Sequence, residues 1–207
     1  MGACIKALLL GLFLIGCGKN PNSDPRTFTN VGQGRILVHL INQAPIGNDE
    51  IQRITDALNI QLQRDFRPLY DIDAVVQLNT NGEEKKKVFI LTDMSGLPEP
   101  FKFYLGVHTD GQNAYVNYNL TKDYSTSGTA SHEILELLTN PNVEPGGREV
   151  CDPVNNNLYT INGIEVSNFV FPNYYIPGSI GPWDYNGLVK HPFTPIPGGE
   201  NFTLIRS

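Results

Sequence analysis

The chain has 207 residues, of which 40% are hydrophobic and 17% are charged, and its net charge is −6. This length is sufficient for one domain with a buried core. Basic residues cluster only in the mixed-sign segment Glu-Glu-Lys-Lys-Lys (83–87), so a nucleic-acid-binding surface is not expected. The composition therefore favours a single monomeric domain that does not bind nucleic acid.

The N-terminus has the features of a bacterial lipoprotein signal. Residues 1–6 form a short basic segment, and residues 7–15 form an apolar segment that is too short to span a bilayer. They lead into Leu-Ile-Gly-Cys (14–17), which resembles a lipobox, where the signal is removed and the cysteine is lipidated. The alternative is an ordinary secretory signal followed by an incidental cysteine. We predict a signal peptide over residues 1–16 and a lipid anchor on Cys17, which place the protein at the bacterial cell envelope, at the outer membrane or the cell surface.

The residues that follow this signal predict a flexible tether. Residues 18–34 are rich in Asn, Pro, Ser, Asp, Gly and Thr and contain hardly any apolar residue. We therefore assign residues 17–34 to the tether and residues 35–207 to the folded domain. Cys4 lies in the signal and Cys17 would carry lipid, so Cys151 has no partner and no intrachain disulfide is expected.

The first half of the domain reads as a strand and a long helix. Residues 35–41 form a dense apolar and β-branched run, which predicts a buried strand. Residues 49–66 have apolar side chains every third or fourth position, which predicts a helix that ends at Pro68.

Further strands are predicted along the rest of the chain. Residues 70–78 and 87–92 read as strands, and the weak alternation over 114–118 is typical of an edge strand. A hairpin is predicted over 158–166 around Asn-Gly, and a short final strand over 202–205. The prolines and glycines after residue 141 predict a loop- and hairpin-rich C-terminal part. The expected fold is α/β (α+β), with a mixed sheet and two main helices.

The most informative stretch is residues 129–141, which predict a second helix. Thr129 or Ser131 can cap its start, and Pro141 prevents its continuation. On a helical wheel, one side is polar and the opposite side is apolar. The polar side carries His132, Glu133, Glu136 and Asn140, and the apolar side Ile134, Leu135, Leu137 and Leu138.

The polar side of this helix has the spacing of a metal-binding site. His132 and Glu136 are four residues apart and lie one above the other, so both can bind one divalent cation. Glu133 is rotated by about 100° and lies beside such a cation, where a general base is needed. The pattern His-Glu-x-x-Glu is a variant of the His-Glu-x-x-His helix of zinc proteases. The alternative is an amphipathic surface helix whose solvated side carries these residues by chance.

A catalytic zinc ion usually has three protein ligands, so a third ligand is needed. The segment Arg-Glu-Val-Cys-Asp (148–152) offers Glu149 and Asp152, with Cys151 as a less favoured ligand. Alternatively, the two carboxylates brace the loop. Zinc is the expected metal, although a set of two carboxylates and one imidazole could also accept calcium or manganese.

Two further residues are candidates for contact with a substrate. His108 precedes the predicted edge strand and could approach the metal or a substrate carbonyl, although a turn histidine is the simpler reading. Tyr174 or Tyr175 could donate a hydroxyl to an oxyanion, although an aromatic run near proline is commonly a packing feature.

Several segments together carry a resemblance to a known family. They occur in the order Gln-Leu-Gln-Arg-Asp-Phe-Arg-Pro-Leu-Tyr (61–70), Leu-Gly-Val-His (105–108), Ala-Ser-His-Glu-Ile-Leu-Glu (130–136), Glu-Val-Cys-Asp-Pro (149–153) and Tyr-Thr-Ile-Asn-Gly-Ile-Glu-Val-Ser-Asn-Phe-Val (159–170). A Gly-Gly pair near the end completes the set. Over residues 35–207 the chain resembles a family of bacterial proteins with a zincin-like His-Glu-x-x-Glu helix.

The resemblance implies a zincin-like fold and a metal-dependent hydrolase, without an established substrate. By motif match, His132 and Glu136 would be metal ligands and Glu133 the base, with Glu149 or Asp152 as third ligand. The chain departs from the family at Asn140, because such helices often end in Thr-Asp-Pro. Asparagine carries no charge, so this departure could weaken the metal site.

The sequence thus predicts a lipoprotein with a metal-dependent hydrolase site, favouring a zinc peptidase. By analogy with zincins, an extended peptide substrate would pair with the edge strand beside the metal. The alternative is a non-catalytic binding or structural lipoprotein that keeps the scaffold. A third reading is a metal that only stabilises the C-terminal part.

Overall fold

The computed structural model describes residues 34–78, 86–109, 111–144 and 147–200. The predicted signal peptide, Cys17, the tether up to residue 33 and the final strand at 202–205 lie outside these residues. Within the described ranges, no helix is both long enough and apolar enough to cross a membrane.

The fold is mixed α/β, as predicted, and is built on a five-stranded sheet in the order β2-β1-β3-β5-β4. In chain order its strands are β1 (Ile36–Gln43), β2 (Ala74–Leu78), β3 (Lys86–Leu91), β4 (Gly106–His108) and β5 (Asn113–Asn117). Strands β2, β1, β3 and β5 run parallel to one another, and β4 runs antiparallel to β5. The interior position of β1, between β2 and β3, explains its β-branched run, because parallel strands inside a sheet are covered on both faces.

The first long helix continues beyond its predicted end. The helix α1 (Asn48–Ile60) passes into a π-helical turn (Gln61–Phe66) and then into α2 (Arg67–Tyr70). The prediction that Pro68 ends the helix is wrong, because Pro68 lies in the first turn of α2, where its missing N–H is not needed.

The predicted edge strand is an interior strand. Strand β5 lies between β3 and β4, and the short strand β4 forms the edge of the sheet. Ala114 and Val116 on β5 are fully buried, so the alternation reflects packing against the core. Three residues are too few to show a strand pattern in the sequence, which is why β4 was not predicted.

The second long helix is α4 (Thr126–Thr139), which follows the single turn α3 (Tyr118–Thr121). It begins before its predicted start, because the Ser125 hydroxyl caps it by accepting a hydrogen bond from the Gly128 N–H at 3.0 Å. Thr129 and Ser131, the predicted caps, are wrong as caps and lie inside the helix. Several Ser and Thr residues in a row made the choice of cap ambiguous.

Helix α4 is buried on its polar side as well as on its apolar side. It packs against β3, β4 and β5 of the sheet and against β7 (Ile164–Ser167). Glu133 and Glu136 are only 5% and 3% exposed. The reading of this helix as a solvated amphipathic surface helix is therefore wrong.

The C-terminal part is loop-rich, as predicted. Strand β6 (Leu158–Ile161) pairs with β7 in an antiparallel hairpin. Asn162 and Gly163 at its turn have φ angles of 52° and 79°, the positive values that a type I′ turn requires. The hairpin prediction is therefore confirmed.

A buried cluster of hydrogen bonds fixes α4 one residue before His132. The Ser131 hydroxyl donates to the Gln61 side-chain oxygen at 2.6 Å and accepts from the Ser167 N–H at 3.0 Å. The Gln61 amide in turn donates to the Ser167 carbonyl at 2.9 Å. The π-helical turn, α4 and β7 are thereby joined at a single point.

We expect Ser131→Ala to lower the free energy of unfolding by about 1–3 kcal/mol, because it leaves the buried Ser167 N–H and Gln61 oxygen without their partner. Ser127→Ala, on the same helix but half-buried, is the matched control and should change stability by less. Urea unfolding of both variants measures the difference. Equal and small effects would show that this cluster does not hold α4.

Candidate metal centre

Two carboxylates lie close to the imidazole of His132. Its Nε2 atom lies 3.1 Å from Glu136 Oε2 and 3.3 Å from Asp152 Oδ1. Nitrogen and oxygen ligands of a tetrahedral zinc ion, each at about 2.0–2.2 Å, are separated from one another by about 3.3–3.6 Å. The spacing of these atoms around Nε2 therefore suits a shared cation.

Cys151, the less favoured ligand in the sequence, lies close to His132 and Glu136. The ligand atoms of His132, Glu136 and Cys151 all lie within 4.8 Å of one another. The Cys151 N–H donates to Glu136 Oε1 at 3.1 Å, and this bond ties the loop to the helix. Asp152 opens the next 3₁₀ turn. We call His132, Glu136, Cys151 and Asp152 the His132 group.

A second set of possible ligands adjoins the first. The ligand atoms of His108, Glu133 and Glu136 also lie within 4.8 Å of one another, and all three residues are buried. His108 Nδ1 is 3.5 Å from Glu133 Oε2 and 3.8 Å from Glu136 Oε2. We call these residues the His108 group. The sequence makes His108 a candidate by itself but does not place it beside Glu133, because the three residues of β4 carry no strand pattern.

Glu149, one of the two predicted third ligands, faces His108. Its Oε2 atom is 3.6 Å from His108 Nε2, and its Oε1 atom accepts a hydrogen bond from Asn140 Nδ2 at 2.7 Å. Its backbone carbonyl accepts a hydrogen bond from the Tyr175 hydroxyl at 3.0 Å. Of the two predicted third ligands, Asp152 is therefore the one seen beside His132. Asn140, where the chain departs from the family pattern, holds Glu149 in place.

The surrounding carboxylates make both histidines more basic. Burial would lower the pKa of His108, but Glu133, Glu136 and Glu149 together raise it to about 9. Burial likewise opposes charge on His132, yet Glu136 and other neighbouring groups, including Asp152, hold its pKa well above the usual value. Both rings thus lie in a strongly negative environment that favours a cation.

Burial has the opposite effect on the acidic groups. It raises the pKa of Glu149 to about 8, with a further contribution from Glu136 and partial offsets from His108 and Asn140. Burial also raises the pKa of Glu136, and it raises the pKa of the Cys151 thiol well above the usual value. Negative charge is therefore costly at these positions unless a positive charge accompanies it.

Three buried polar atoms at this centre have no hydrogen bond among the described residues. They are His108 Nε2, Glu133 Oε2 and Glu149 Oε2. Buried polar atoms in folded proteins are normally hydrogen-bonded, so such a concentration needs an explanation. Buried carboxylate oxygens without hydrogen bonds beside imidazole nitrogens are typical of a site that binds a cation.

A cavity of about 600 Å³ opens onto both groups. Its apolar lining includes Phe101, Tyr104 and Val107 on and before β4. Tyr174 does not line it, and its ring packs in the core against Tyr175 and Phe193. The geometry therefore gives no support to Tyr174 as an oxyanion donor, whereas His108 does line the cavity.

Gly106 on β4 permits the close approach of strand and helix. A Cβ atom at this position would lie 2.5 Å from Glu133 Oε1 and 2.7 Å from Thr129 Cγ2. Only a residue without a side chain fits here unless Glu133 moves. The position of Glu133 therefore depends on a glycine of the edge strand.

Comparison of the chain with protein-family models, with curated proteins and with solved structures finds no match. The resemblance to the zincin-like family accordingly stays a prediction, and the functional argument depends on the geometry described above.

We expect Gly106→Ala to displace Glu133 and to lower the free energy of unfolding by about 1–3 kcal/mol, because the added methyl group overpacks this contact. Gly96→Ala is the control, since no atom lies within 4 Å of its Cβ position. Denaturant unfolding of the two variants measures the contrast. Unchanged stability of Gly106→Ala would mean that β4 does not constrain Glu133.

Proposed function

We propose that the protein is a metal-dependent hydrolase, with a zinc peptidase as the favoured form. The observation that carries the proposal is the placement of two carboxylate oxygens 3.1 and 3.3 Å from His132 Nε2. Glu136 is buried and His132 and Asp152 are half-buried, all three line a cavity, and His132 and Glu136 belong to the His-Glu-x-x-Glu pattern of α4.

His132, Glu136 and Asp152 are the proposed ligands of the first cation. The donor set of one imidazole and two carboxylates suits zinc and is also compatible with manganese. A bound zinc ion supplies Lewis acidity, which polarises a carbonyl oxygen and makes water acidic at neutral pH. Cys151 is a fully buried residue beside this set, and we assign it a packing role because Asp152 Oδ1 lies 3.3 Å from His132 Nε2 and supplies the third ligand.

Glu133 is the proposed general base. It follows His132 on α4, lines the cavity, and leaves its Oε2 atom without a hydrogen bond among the described residues. A carboxylate oxygen in this position can take a proton and return it to a leaving group. The His108 ring lies 3.5 Å from the same oxygen.

An extended peptide is the proposed substrate. Strand β4 forms the edge of the sheet and lies against α4, so a peptide could add to it by β-augmentation. Phe101, Tyr104 and Val107 provide an apolar wall for a substrate side chain. The zincin-like resemblance also implies an edge strand beside the His-Glu-x-x-Glu helix, here formed by β4 rather than by the predicted residues 114–118. Anchoring through Cys17 at the cell envelope remains part of the proposal and depends on the N-terminal sequence pattern alone.

We expect the detergent-solubilised full-length protein to contain zinc that His132→Ala loses, as measured by elemental analysis. Glu133→Gln should keep this metal and lose at least about 100-fold in hydrolysis of a peptide mixture, because general-base catalysis contributes about 10²–10⁴-fold. Zinc uptake with no hydrolysis by the wild type would favour a non-catalytic binding protein. No metal in the wild type after incubation with zinc would contradict the hydrolase proposal.

We expect Asp152→Asn to weaken zinc binding by about 10-fold or more, because it removes a charged ligand from the His132 group. Cys151→Ser is the matched control for the adjacent residue and should keep zinc. Competition with a chelator of known affinity gives both dissociation constants. If Cys151→Ser loses zinc affinity and Asp152→Asn keeps it, the third ligand is Cys151 rather than Asp152.

A further inference from the structure

We propose that the His108 group binds a second divalent cation, beside the one assigned to the His132 group, with Glu136 shared between them. The proposal concerns a site that the first assignment leaves unused. Its ligand atoms are His108 Nδ1, Glu133 Oε2 and Glu136 Oε2. The binding itself is independent of catalysis, whereas its effect on turnover rests on the proposed hydrolase function.

The distances among these atoms suit a metal site. His108 Nδ1 lies 3.5 Å from Glu133 Oε2 and 3.8 Å from Glu136 Oε2. Ligand atoms at about 2.0–2.2 Å from a tetrahedral zinc ion are about 3.3–3.6 Å apart, so shifts of a few tenths of an ångström complete the geometry. The three donors come from β4 and from successive turns of α4, which are rigid elements.

The buried oxygen of Glu133 gives an independent indication of a ligand. Glu133 is 5% exposed, and its Oε2 atom has no hydrogen bond among the described residues. This atom faces His108 at a distance too long for a good hydrogen bond. A carboxylate oxygen in such a position gains most from a cation placed between it and the imidazole.

Glu149 and Asn140 complete the site as outer residues. Glu149 faces the other ring nitrogen of His108, Nε2, at 3.6 Å, and Asn140 fixes Glu149 through a 2.7 Å hydrogen bond. Metal-binding histidines commonly donate their second ring N–H to a carboxylate, which sets the tautomer and the ring orientation. This arrangement leaves the Nδ1 lone pair directed at Glu133 and Glu136.

The number of acidic groups also suits two cations. Glu133, Glu136, Glu149 and Asp152 surround the two imidazoles, and metal binding displaces protons from its ligands, so two divalent cations would balance these four carboxylates. Two-metal sites commonly place their ions about 3.5–4 Å apart.

Occupation of the second site would affect the proposed reaction. Glu133 Oε2 is the oxygen assigned to proton transfer, and a cation bound to it withdraws its lone pair from that role. On the proposed function, the second cation is therefore inhibitory, and hydrolysis falls as the metal concentration rises beyond the first equivalent.

Calorimetric titration of zinc into the metal-free, detergent-solubilised full-length protein tests the second site. We expect two successive equivalents in the wild type, and loss of the weaker one in both His108→Ala and Glu133→Gln. His191→Ala, which changes an exposed histidine away from the centre, should bind both equivalents. Glu149→Gln keeps all ligands and should weaken only the second equivalent, by about 10–100-fold.

The outcomes separate this proposal from the function proposed above. A single equivalent in the wild type, still present in Glu133→Gln, overturns the second site and leaves the first intact. Two equivalents that persist in both His108→Ala and Glu133→Gln also overturn it, because the second ion then binds elsewhere. Absence of any binding contradicts the first site as well. Melting curves identify a His108→Ala variant that fails to fold, in which case Glu133→Gln and Glu149→Gln decide.

Discussion

The structure of the centre depends on the buried carboxylate of Glu136. One of its oxygens accepts the Cys151 N–H, and the other lies 3.1 Å from His132 Nε2 and 3.8 Å from His108 Nδ1. An ionised carboxylate inside a protein costs several kcal/mol unless hydrogen bonds and opposite charges compensate for it. The Cys151 N–H of the loop supplies the hydrogen bond to Glu136, and the rings of His132 and His108 can supply the positive charge. The loop, the edge strand and the helix must therefore all meet at this carboxylate.

Neighbouring packing holds these elements in register. Ser131 fixes α4 to Gln61 and Ser167 one position before His132. On the other side, the Thr139 hydroxyl is shared between the Leu135 carbonyl of its own helix at 2.9 Å and the Arg148 carbonyl at 3.1 Å, so it links α4 to the loop that carries Cys151 and Asp152. These contacts bring together side chains that lie far apart in the chain.

The sequence revealed those features that depend on local spacing. His132 and Glu136 could be paired because residues four apart in a helix are neighbours whatever the fold. Asp152 could be nominated because carboxylates soon after the helix are the nearest in the chain. The α/β class and the hairpin followed from periodicity and from the Asn-Gly turn.

Other features were out of reach because they arise from tertiary contacts. Strand β4 has three residues and no periodicity, so neither the edge of the sheet nor the approach of His108 to Glu133 could be predicted. Asn140 was read as a departure that could weaken the metal site, whereas its amide donates a hydrogen bond to Glu149, a contact made only in the folded chain. The helix does not end at Pro68, because proline is tolerated in the first turn of a helix, where its missing N–H is not needed.

The contacts around His108 could also be read as ion pairs that only stabilise the fold, but their geometry argues against this. A stabilising network of buried charges needs short, well-directed hydrogen bonds that satisfy each oxygen. Here the contacts of His108 with the three glutamates span 3.5–3.8 Å, and oxygens of Glu133 and Glu149 lack hydrogen bonds among the described residues. Protons on the histidines compensate for part of the negative charge but leave these oxygens without close contacts. Cations between the rings and the carboxylates would satisfy both requirements at once, and this is the physical reason for assigning the cluster to metal binding.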